Sequence, residues 1–321
     1  PHGFPMPYLL YSLFIYCAMR RDKLFSTFHF HFIVIIFGFT AVLGALISVS
    51  AIPLVWYRMT LATIGLGVVL WLRKHNFRVS KTIAWVAVAS GVLIAFHWIT
   101  FFGSVKVSNV SVTLSVLSSG AFLTSLLEPI FYKRKVIGYE VFFGLLVILG
   151  LVLVLGTGTT HLAGFLYAGI STVLAVLFTL LNGKYVAKTD PYVLSFYELL
   201  VGALVVTLVL AFQGSFTAEF FAISKQDLLW LSILAFVCTS YAFVVSIVVM
   251  RHLTPYSIML GINMEPVYGI ALAYAIFGEK EVMHTGFYIG LVCILTAVLA
   301  NGIYKLRRAK KTVLPLARNP K

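Results

Sequence analysis

Ten apolar runs divide this chain, and each is long enough to cross a bilayer as a helix. Because lipid offers no partners to backbone N–H and C=O groups, such runs fold as helices that satisfy these groups internally. The pattern therefore predicts an all-α integral membrane protein with ten transmembrane helices. The runs lie near residues 32–52, 54–72, 82–102, 108–131, 139–156, 162–182, 192–212, 227–249, 256–277 and 285–304.

Composition and charge exclude most soluble proteins. Apolar residues make up 61% of the chain and charged residues 11%, against about 25% charged in a typical soluble domain. The net charge of +14 lies in short clusters between the apolar runs, where cytoplasmic loops hold lysine and arginine. The charge therefore indicates the lipid bilayer as a partner and does not indicate nucleic acid.

The distribution of basic residues orients the chain. Alternate connections and the two ends hold 20 of the 24 basic residues, whereas the opposite connections hold only Lys106, Lys225 and Lys280. The positive-inside rule then places both termini in the cytoplasm and the protein in the cell membrane. Almost all connections are shorter than about ten residues, which leaves no room for a soluble catalytic domain.

The two ends of the chain lie outside the spans. Residues 1–31 are predicted to form an N-terminal extension and cytoplasmic head, because the apolar run at residues 8–19 is too short to span. Translation starting at Met19 is the favoured alternative for this end. Residues 305–321 hold seven basic residues and no acid, and we expect a partly disordered tail on the cytoplasmic surface.

Internal similarity divides the spans into two repeats, residues 32–156 and 162–304. The segment 111–144 resembles 257–290 at an offset of 146 residues, and the region around Arg58 resembles that around Glu198 at about 140. Each repeat has five spans, so the second repeat enters the membrane upside down relative to the first. This inverted arrangement is typical of secondary transporters, which bind substrate near the midplane between the repeats.

Several short motifs resemble those of a known family. They are Pro-x-x-x-Tyr-Arg at 53–58, Glu265-Pro266 in the ninth span, Phe-Gly-Glu-Lys at 277–280, and Gly286 and Gly290 in the tenth. With the ten spans and the repeat, they are similar to the drug/metabolite transporter superfamily, EamA type, over residues 32–304. The resemblance implies a proton-coupled or exchange carrier for small metabolites, often an exporter of amino acids or related compounds. The chain departs from the family pattern at Lys133, which occupies the position that the repeat gives to Glu279.

Glu265 is the leading candidate for the transport step. An ionisable group inside a span costs roughly 2.5–3.5 kcal/mol on insertion scales, which makes it a functional candidate. Glu265 is expected to exchange a proton or to pair with a cationic part of the substrate, and a structural bond to a neighbouring helix is the alternative. Glu128-Pro129 repeats the Glu-Pro pair, but Lys133 and Arg134 follow within about a turn and a half, so Glu128 is expected to be an interfacial ion-pair residue.

Arg58 and Glu198 are candidates at matching places in the two repeats. Arg58 is suited to bind a carboxylate through two N–H groups. The alternative is that it extends to the interface, or holds the repeats together by pairing with a helix-end carbonyl. The same two alternatives, a ligand-binding role and a structural role, apply to Glu198. A role for either residue in a gate is a hypothesis.

A polar and aromatic group occupies the outward half of the third span. Phe101 shares a helix face with His97, and His97 could exchange a proton or donate to a substrate carboxylate. The alternative is a histidine bonded to one carbonyl, with Trp98 as an aromatic anchor at the membrane interface. The offset of 146 pairs Tyr241 with Ala95, and Tyr241 is expected to add a hydroxyl group and a ring to the cavity.

The fourth span is rich in small polar residues, most of which are expected to serve helix packing. Ser118 and Ser119 are the exceptions, because the offset of 146 pairs them with Met264 and Glu265. They are therefore expected to lie opposite the proposed site. Asn263 is expected either to add an amide to that site or to bond a neighbouring helix.

The predicted function is that of a secondary transporter for a small metabolite, such as an amino acid. Export by alternating access is expected around a site made by spans 1, 3, 4, 6, 8 and 9, with proton coupling left open. An integral membrane enzyme acting on a lipid-linked substrate is the alternative, although such an enzyme needs clustered carboxylates or histidines at one interface. The three cysteines have no metal-binding spacing, so neither a metal nor another cofactor is expected. The sequence does not indicate which substrate is transported or which oligomeric state the protein adopts.

Overall fold

The computed structural model describes residues 8–155 and 162–317. Helices account for nearly all of these residues, and no strand occurs within the two ranges. The predictions for residues 1–7, 156–161 and 318–321 lie outside the described residues. The helices are α1 (Tyr8–Leu46), α2 (Ala51–Leu72), α3 (Lys81–Val107), α4 (Val110–Tyr132), α5 (Gly138–Leu155), α6 (Leu162–Tyr185), α7 (Pro191–Phe212), α8 (Lys225–Val249), α9 (Pro255–Glu281) and α10 (Thr285–Ala317).

Three of these helices are interrupted. The fourth consists of Val110–Leu117 and Gly120–Tyr132, and the ninth of Pro255–Ile262, Glu265–Phe277 and a 3-10 turn, Gly278–Glu281. The eighth contains a π-helical segment, Phe236–Tyr241, between Lys225–Ala235 and Ala242–Val249. Short elements, Val186–Lys188 and Ala218–Phe221, follow α6 and α7.

Nine of the helices described are long and apolar enough to cross a membrane. The shorter apolar helix Gly138–Val154 completes the ten predicted runs. Large apolar side chains such as Trp85, Ile130 and Phe212 project outward, as expected for a surface covered by lipid. The predicted fold class, an all-α integral membrane protein with two five-helix repeats, is confirmed.

The two ends of the helical part differ from expectation. The first helix begins at Tyr8 and runs without a break into the membrane span Phe28–Leu46. The last helix continues to Ala317, where the sequence analysis expected partial disorder. The added stretch is rich in Lys, Arg, Leu and Ala, and these residues have high helix propensity.

The structure corrects the offset between the repeats. Each half of α4 has the same length as the matching half of α9, 8 and 13 residues, and their first residues, Val110 and Pro255, are 145 positions apart. Lys133 and Gly278, also 145 apart, both have positive φ, 51° and 56°. The predicted offset of 146 is therefore one residue too long here. Ser118 corresponds to Asn263 and not to Met264.

Other helix pairs have different offsets. Arg58 and Glu198 are each the eighth residue of a 22-residue helix, so the predicted offset of 140 is correct for them. The capping residues Ser80 and Ser224 stand at the starts of α3 and α8, 144 positions apart. The π-helical segment holds an extra residue, which accounts for the change from 144 to 145 along the chain. Tyr241 therefore does not match Ala95.

Packing between helices mostly joins one repeat to the other. The extensive contacts are those of α3 with α6 and α7, α2 with α7, α1 with α9 and α5 with α10. Glycines let two of these pairs approach at backbone level: a Cβ atom built on Gly38 would lie 2.9 Å from the Gly269 nitrogen, and one on Gly290 2.5 Å from the Gly150 oxygen. The repeats are therefore interlocked around the centre of the molecule.

Candidate functional site

A cavity of about 100 Å³ lies inside the helical bundle, with room for a small solute and a few waters. Its wall comes from α1, α3, α4, α6, α8 and α9, the six helices named by the sequence analysis, and from α2. Most of the lining is apolar. The lining residues are Phe37, Thr40, Arg58, Ile94, His97, Trp98, Phe101, Leu117, Ala175, Phe178, Thr179, Phe243, Ser246, Met250, Ile258, Met259, Ile262 and Glu265.

Arg58 is held rigidly at one side of this cavity. Its side chain is 2% exposed, and the guanidinium carbon lies 3.7 Å from the centroid of the Trp98 ring. Its Nε donates to Thr239 Oγ1 at 2.6 Å, and Nη2 donates to the Cys238 carbonyl at 3.5 Å. Nη1 has no partner. Arg58 therefore does not extend to the interface; it joins the two repeats and keeps one donor nitrogen free.

Glu265 faces the same cavity from the break in α9. It is the first residue of the second half of that helix, and it is 4% exposed. Within the described chain no hydrogen bond reaches its carboxyl group, and no basic nitrogen lies within the 4.0 Å of an ion pair. The alternative of a structural bond to a neighbouring helix is therefore not observed. Arg58 and Glu265 place opposite charges in one cavity without touching each other.

His97, Trp98 and Phe101 all line the cavity. His97 Nδ1 lies 2.9 Å from the Ser171 carbonyl oxygen, which can only accept, so Nδ1 carries a hydrogen and Nε2 is left for other partners. The predicted bond from the histidine to one carbonyl is thus present. Trp98 is 5% exposed and supports Arg58, so the alternative of an interface anchor is wrong for this residue.

Ser118, Ser119 and Asn263 lie outside the cavity lining, contrary to expectation. The hydroxyl groups of Ser118 and Ser119 donate to carbonyls of their own helix, those of Leu114 at 3.2 Å and Val116 at 2.8 Å. With its amide nitrogen facing two carbonyl oxygens, Asn263 donates to Ser118 at 3.0 Å and to Met259 at 3.3 Å. These contacts join the break in α4 to the break in α9, so Asn263 bonds a neighbouring helix.

Tyr241 and Glu198 are also separate from the cavity. Tyr241 is 39% exposed, and its hydroxyl group pairs with His29 Nε2 at 2.7 Å, so it supplies neither hydroxyl nor ring to the site. The π-helical segment turns this residue outward from α8. Glu198 is fully buried in α7, with Ser90 and Asn182 as its polar neighbours.

Several lining residues were not found from the sequence. Phe178 and Phe243, whose ring centroids lie 5.5 Å apart, close one side of the cavity. Thr40 and Thr179 add hydroxyl groups, although both donate to carbonyls of their own helices. In the sequence, these two residues were marked only as threonines inside apolar runs. The aromatic residues gave none, because both lipid and core accept apolar side chains.

Buried carboxylates join the repeats at the two membrane faces. At one face Glu281 accepts hydrogen bonds from the backbone nitrogens of Val110 and Ser111 at 3.2 and 3.1 Å, and from the Ser111 hydroxyl at 2.6 Å. At the other face, which carries the basic connections, Glu128 accepts from the Tyr256 nitrogen at 3.1 Å. Each repeat thus caps the first turn of the interrupted helix of the other.

The predicted ion pair of Glu128 is confirmed. Its Oε1 lies 3.3 Å from Nε of Arg134, and Nη2 of Arg134 lies 3.2 Å from Glu140 Oε2. Partial burial lowers the pKa of Arg134, but the two carboxylates outweigh this effect and raise that pKa above its usual value. The connection after α4 is therefore fixed to the basic face by charge.

Further contacts join the helices at the face opposite the basic connections. Asp227 accepts from the Ser48 nitrogen at 2.7 Å and from its hydroxyl at 2.5 Å, and Lys106 donates to the Ile47 carbonyl. The cavity lining, in contrast, continues to Met250 at the basic end of α8. The cavity therefore extends toward the basic face.

Within the described residues, ten apolar helices form two interlocked repeats around an internal cavity, which is the architecture of a multi-pass membrane protein. The model of the EamA-like transporter family matches residues 27–156 and 162–302. The chain belongs to this family, which confirms the resemblance seen in the motifs and points to a transporter and not to an enzyme.

Two further similarities agree with this assignment. "Uncharacterized transporter YxxF" of Bacillus subtilis (strain 168) is 29% identical over 179 residues, which is 53% of this chain and 57% of that protein. The chain thus matches little more than half the length of this curated relative. A solved crystal structure with 14% identity covers 86% of this chain and 96% of its own, with a TM-score of 0.65, and shows that the fold is shared.

Proposed function

We propose that this transporter moves a small zwitterion with an apolar side chain, such as an amino acid, out of the cell across the cytoplasmic membrane. One observation carries the proposal: Arg58 and Glu265 line the same apolar cavity, and among the described residues Nη1 of Arg58 has no hydrogen-bond partner and the Glu265 carboxyl group has no ion pair. A zwitterion brings a carboxylate and an ammonium group, and it would satisfy both residues at once. A buried charge without a partner is costly, so the site favours a ligand that supplies both.

Arg58 is the group for the carboxylate. Its Nη1 is free, while Trp98, Thr239 and the Cys238 carbonyl fix the plane of the guanidinium group. A fixed orientation lowers the entropy lost when the ligand binds. His97 Nε2, in the same lining, is placed to accept a hydrogen bond from the ligand or a water molecule.

Glu265 is the group for the ammonium. It stands next to the break in α9, and in interrupted helices of secondary transporters such breaks line the substrate site. The remaining wall is rich in Phe, Met and Ile side chains, which suits an apolar substituent on the ligand. A volume of about 100 Å³ limits that ligand to a small molecule.

The placement of the closing contacts supports the proposal of alternating access with release on the outside. With both termini inside, the basic face is cytoplasmic, and the cavity extends toward it. The contacts of Glu281 and Asp227 close the opposite face. A substrate would enter from the cytoplasm, and release would need these contacts to open while those of Glu128 hold.

Counterflow into proteoliposomes tests the proposal. Liposomes that contain the purified protein are loaded with unlabelled leucine, phenylalanine, lysine or glutamate. Uptake of the same compound in labelled form is then followed. We expect saturable exchange of the apolar members and little exchange of the charged ones. Arg58→Lys should weaken this exchange, whereas Tyr241→Phe, outside the cavity, should leave it unchanged. Exchange by none of the four compounds would rule out the proposed substrate class.

A further inference from the structure

A group of buried oxygen atoms lies away from the cavity, between α3, α6 and α7. Ser90, Asn182 and Glu198 are each fully buried. Among the described residues, no hydrogen bond of normal geometry is formed by either carboxyl oxygen of Glu198, the hydroxyl oxygen of Ser90 or the amide oxygen of Asn182. Ser90 and Asn182 are also the polar neighbours of the Glu198 carboxyl group. Four unpaired oxygens therefore converge in the membrane interior, where such groups are normally satisfied.

No positive charge compensates this group. Within the described chain no basic nitrogen lies within 4.0 Å of the Glu198 carboxyl group. The ionisable side chains on the helices around it contact other groups: His97 contacts Ser171, Arg58 contacts Thr239 and the Cys238 carbonyl, Lys184 contacts the Phe131 carbonyl, and His75 pairs with Asp190 at the start of α7. An ionised Glu198 would be an uncompensated charge, which is unfavourable in such surroundings.

We propose that Glu198, Ser90 and Asn182 form a proton-binding site separate from the substrate cavity. One proton on Glu198 satisfies every unpaired atom. The acid O–H donates to the amide oxygen of Asn182, and the Ser90 O–H donates to the other carboxyl oxygen. The group then carries no net charge. Loss of the proton leaves a buried carboxylate beside two neutral donor groups, the Ser90 hydroxyl and the Asn182 amide, with no positive charge from the described residues to balance it.

The surrounding backbone favours a proton over a sodium ion. Sodium sites in secondary transporters take carbonyl oxygens from unwound helices. The three helices here, α3, α6 and α7, are continuous through Ser90, Asn182 and Glu198, so their carbonyls are used within the helices. Three side chains alone offer too few oxygens for a metal ion, but they match the needs of one proton.

The site is connected to the substrate cavity through α6. The amide nitrogen of Asn182 donates to the Phe178 carbonyl at 3.4 Å, and the Phe178 ring lines the cavity beside Phe243. Release of the proton would place a charge between α7 and two helices of the cavity wall. Those helices would then have to separate enough to admit water or a cation. This consequence rests on the proposed transport function, whereas occupancy of the site by a proton does not.

Infrared difference spectroscopy measures the proton directly through the C=O stretching band of a protonated carboxylic acid. Because Glu265 is another buried carboxyl group without a hydrogen bond or ion pair among the described residues, the measurement starts from Glu265→Gln. We expect a buried-acid band at neutral pH in that variant, its loss on adding Glu198→Gln, and its retention with Glu219→Gln, which removes an exposed carboxyl group. Asn182→Leu should shift the band, because the acceptor of the acid O–H is gone.

Three outcomes would overturn the proposal. They are the absence of this band in Glu265→Gln, its survival in Glu198→Gln, or its loss on addition of sodium ions at constant pH, which would indicate a sodium site. Glutamine has the shape of a protonated glutamate, so Glu198→Gln should fold; Ser90→Ala gives a second variant, expected to shift the band.

Transport supplies an independent measurement. In proteoliposomes with a pH gradient, the ratio of flux with and without the gradient should fall to unity in Glu198→Gln, while Glu219→Gln should match the parent. If the band behaves as expected but no amino acid moves in the parent protein, the proton site stands and the proposed substrate fails. A Glu198→Gln protein that keeps the full acceleration by the gradient would contradict a role of this site in coupling.

Discussion

The carbonyl oxygen of Ser118 accepts a hydrogen bond from the amide of Asn263 at 3.0 Å, and this bond joins the interruptions of two helices. The two residues hold equivalent positions in the repeats, 145 apart, each directly after a half-helix of 8 residues. The breaks in α4 and α9 thus meet each other at the centre of the molecule. A contact between equivalent positions is suited to serve as the pivot when the repeats exchange exposure.

Asn263→Ala tests this contact. The change removes two hydrogen bonds and leaves the carbonyls of Ser118 and Met259 without this partner, so we expect a loss of about 1–3 kcal/mol in stability. Thermal unfolding in detergent, followed by size-exclusion chromatography, measures the effect. Asn76→Ala, at an exposed position in a connection, is the control and should melt like the parent protein. Equal melting of the two variants would show that the contact is not structural.

Arg58→Lys tests the carboxylate site. Lysine keeps the charge but loses the planar fork over Trp98 and the bond to Thr239. A hydrogen bond to a charged group contributes about 1.5–3 kcal/mol, so the half-saturation concentration of the exchanged amino acid should rise about tenfold or more. Arg251→Lys, at the exposed basic end of α8, is the matched control. An unchanged half-saturation concentration in Arg58→Lys would remove Arg58 from the site.

Glu281→Gln tests the cap on α4. The carboxylate accepts three hydrogen bonds from Val110 and Ser111 at the helix N-terminus, where a negative charge is favourable. Glutamine keeps the shape without the charge, and the variant should lose about 1 kcal/mol of stability. The exposed neighbour Glu279→Gln should show no loss when both are melted under the same conditions. If both variants melt like the parent, the cap contributes nothing measurable.

Gly290→Ala tests the backbone contact between α5 and α10. An added Cβ atom would lie 2.5 Å from the Gly150 oxygen, so the two helices must separate. Overpacking of this kind costs about 1–3 kcal/mol. Gly169→Ala places its methyl group in open space on α6, and we expect no destabilisation there. A Gly290→Ala protein as stable as Gly169→Ala would mean that this interface adapts freely.

The sequence was sufficient for the fold and for part of the site. Span length, the 140-residue offset of Arg58 and Glu198, and the isolated charges could be read directly, and five candidates do line the cavity. The offset of 146 failed because it relied on glycines in α5 and α10, which begin at Gly138 and Thr285, 147 positions apart, so the offset changes again after α4 and α9. That error placed Ser118 and Ser119 opposite Glu265.

Other parts of the site could not be predicted from one sequence. Phe178 and Phe243 look like any aromatic residues in a lipid-facing helix, because apolar periodicity does not separate core from lipid. The role of Trp98 depends on Arg58, which comes from another helix, and the cap formed by Glu281 depends on the position of α4. Each is a contact between segments far apart in the chain.

Binding of the two charged ends of one ligand by Arg58 and Glu265 can be measured by competition in the counterflow assay. The unlabelled competitors are the amino acid that exchanges fastest, its deaminated acid and its decarboxylated amine. Only the intact zwitterion should compete effectively, and Arg58→Lys and Glu265→Gln should each weaken this competition. If the acid or the amine alone competes as well as the zwitterion, the two residues do not bind the two ends of one ligand.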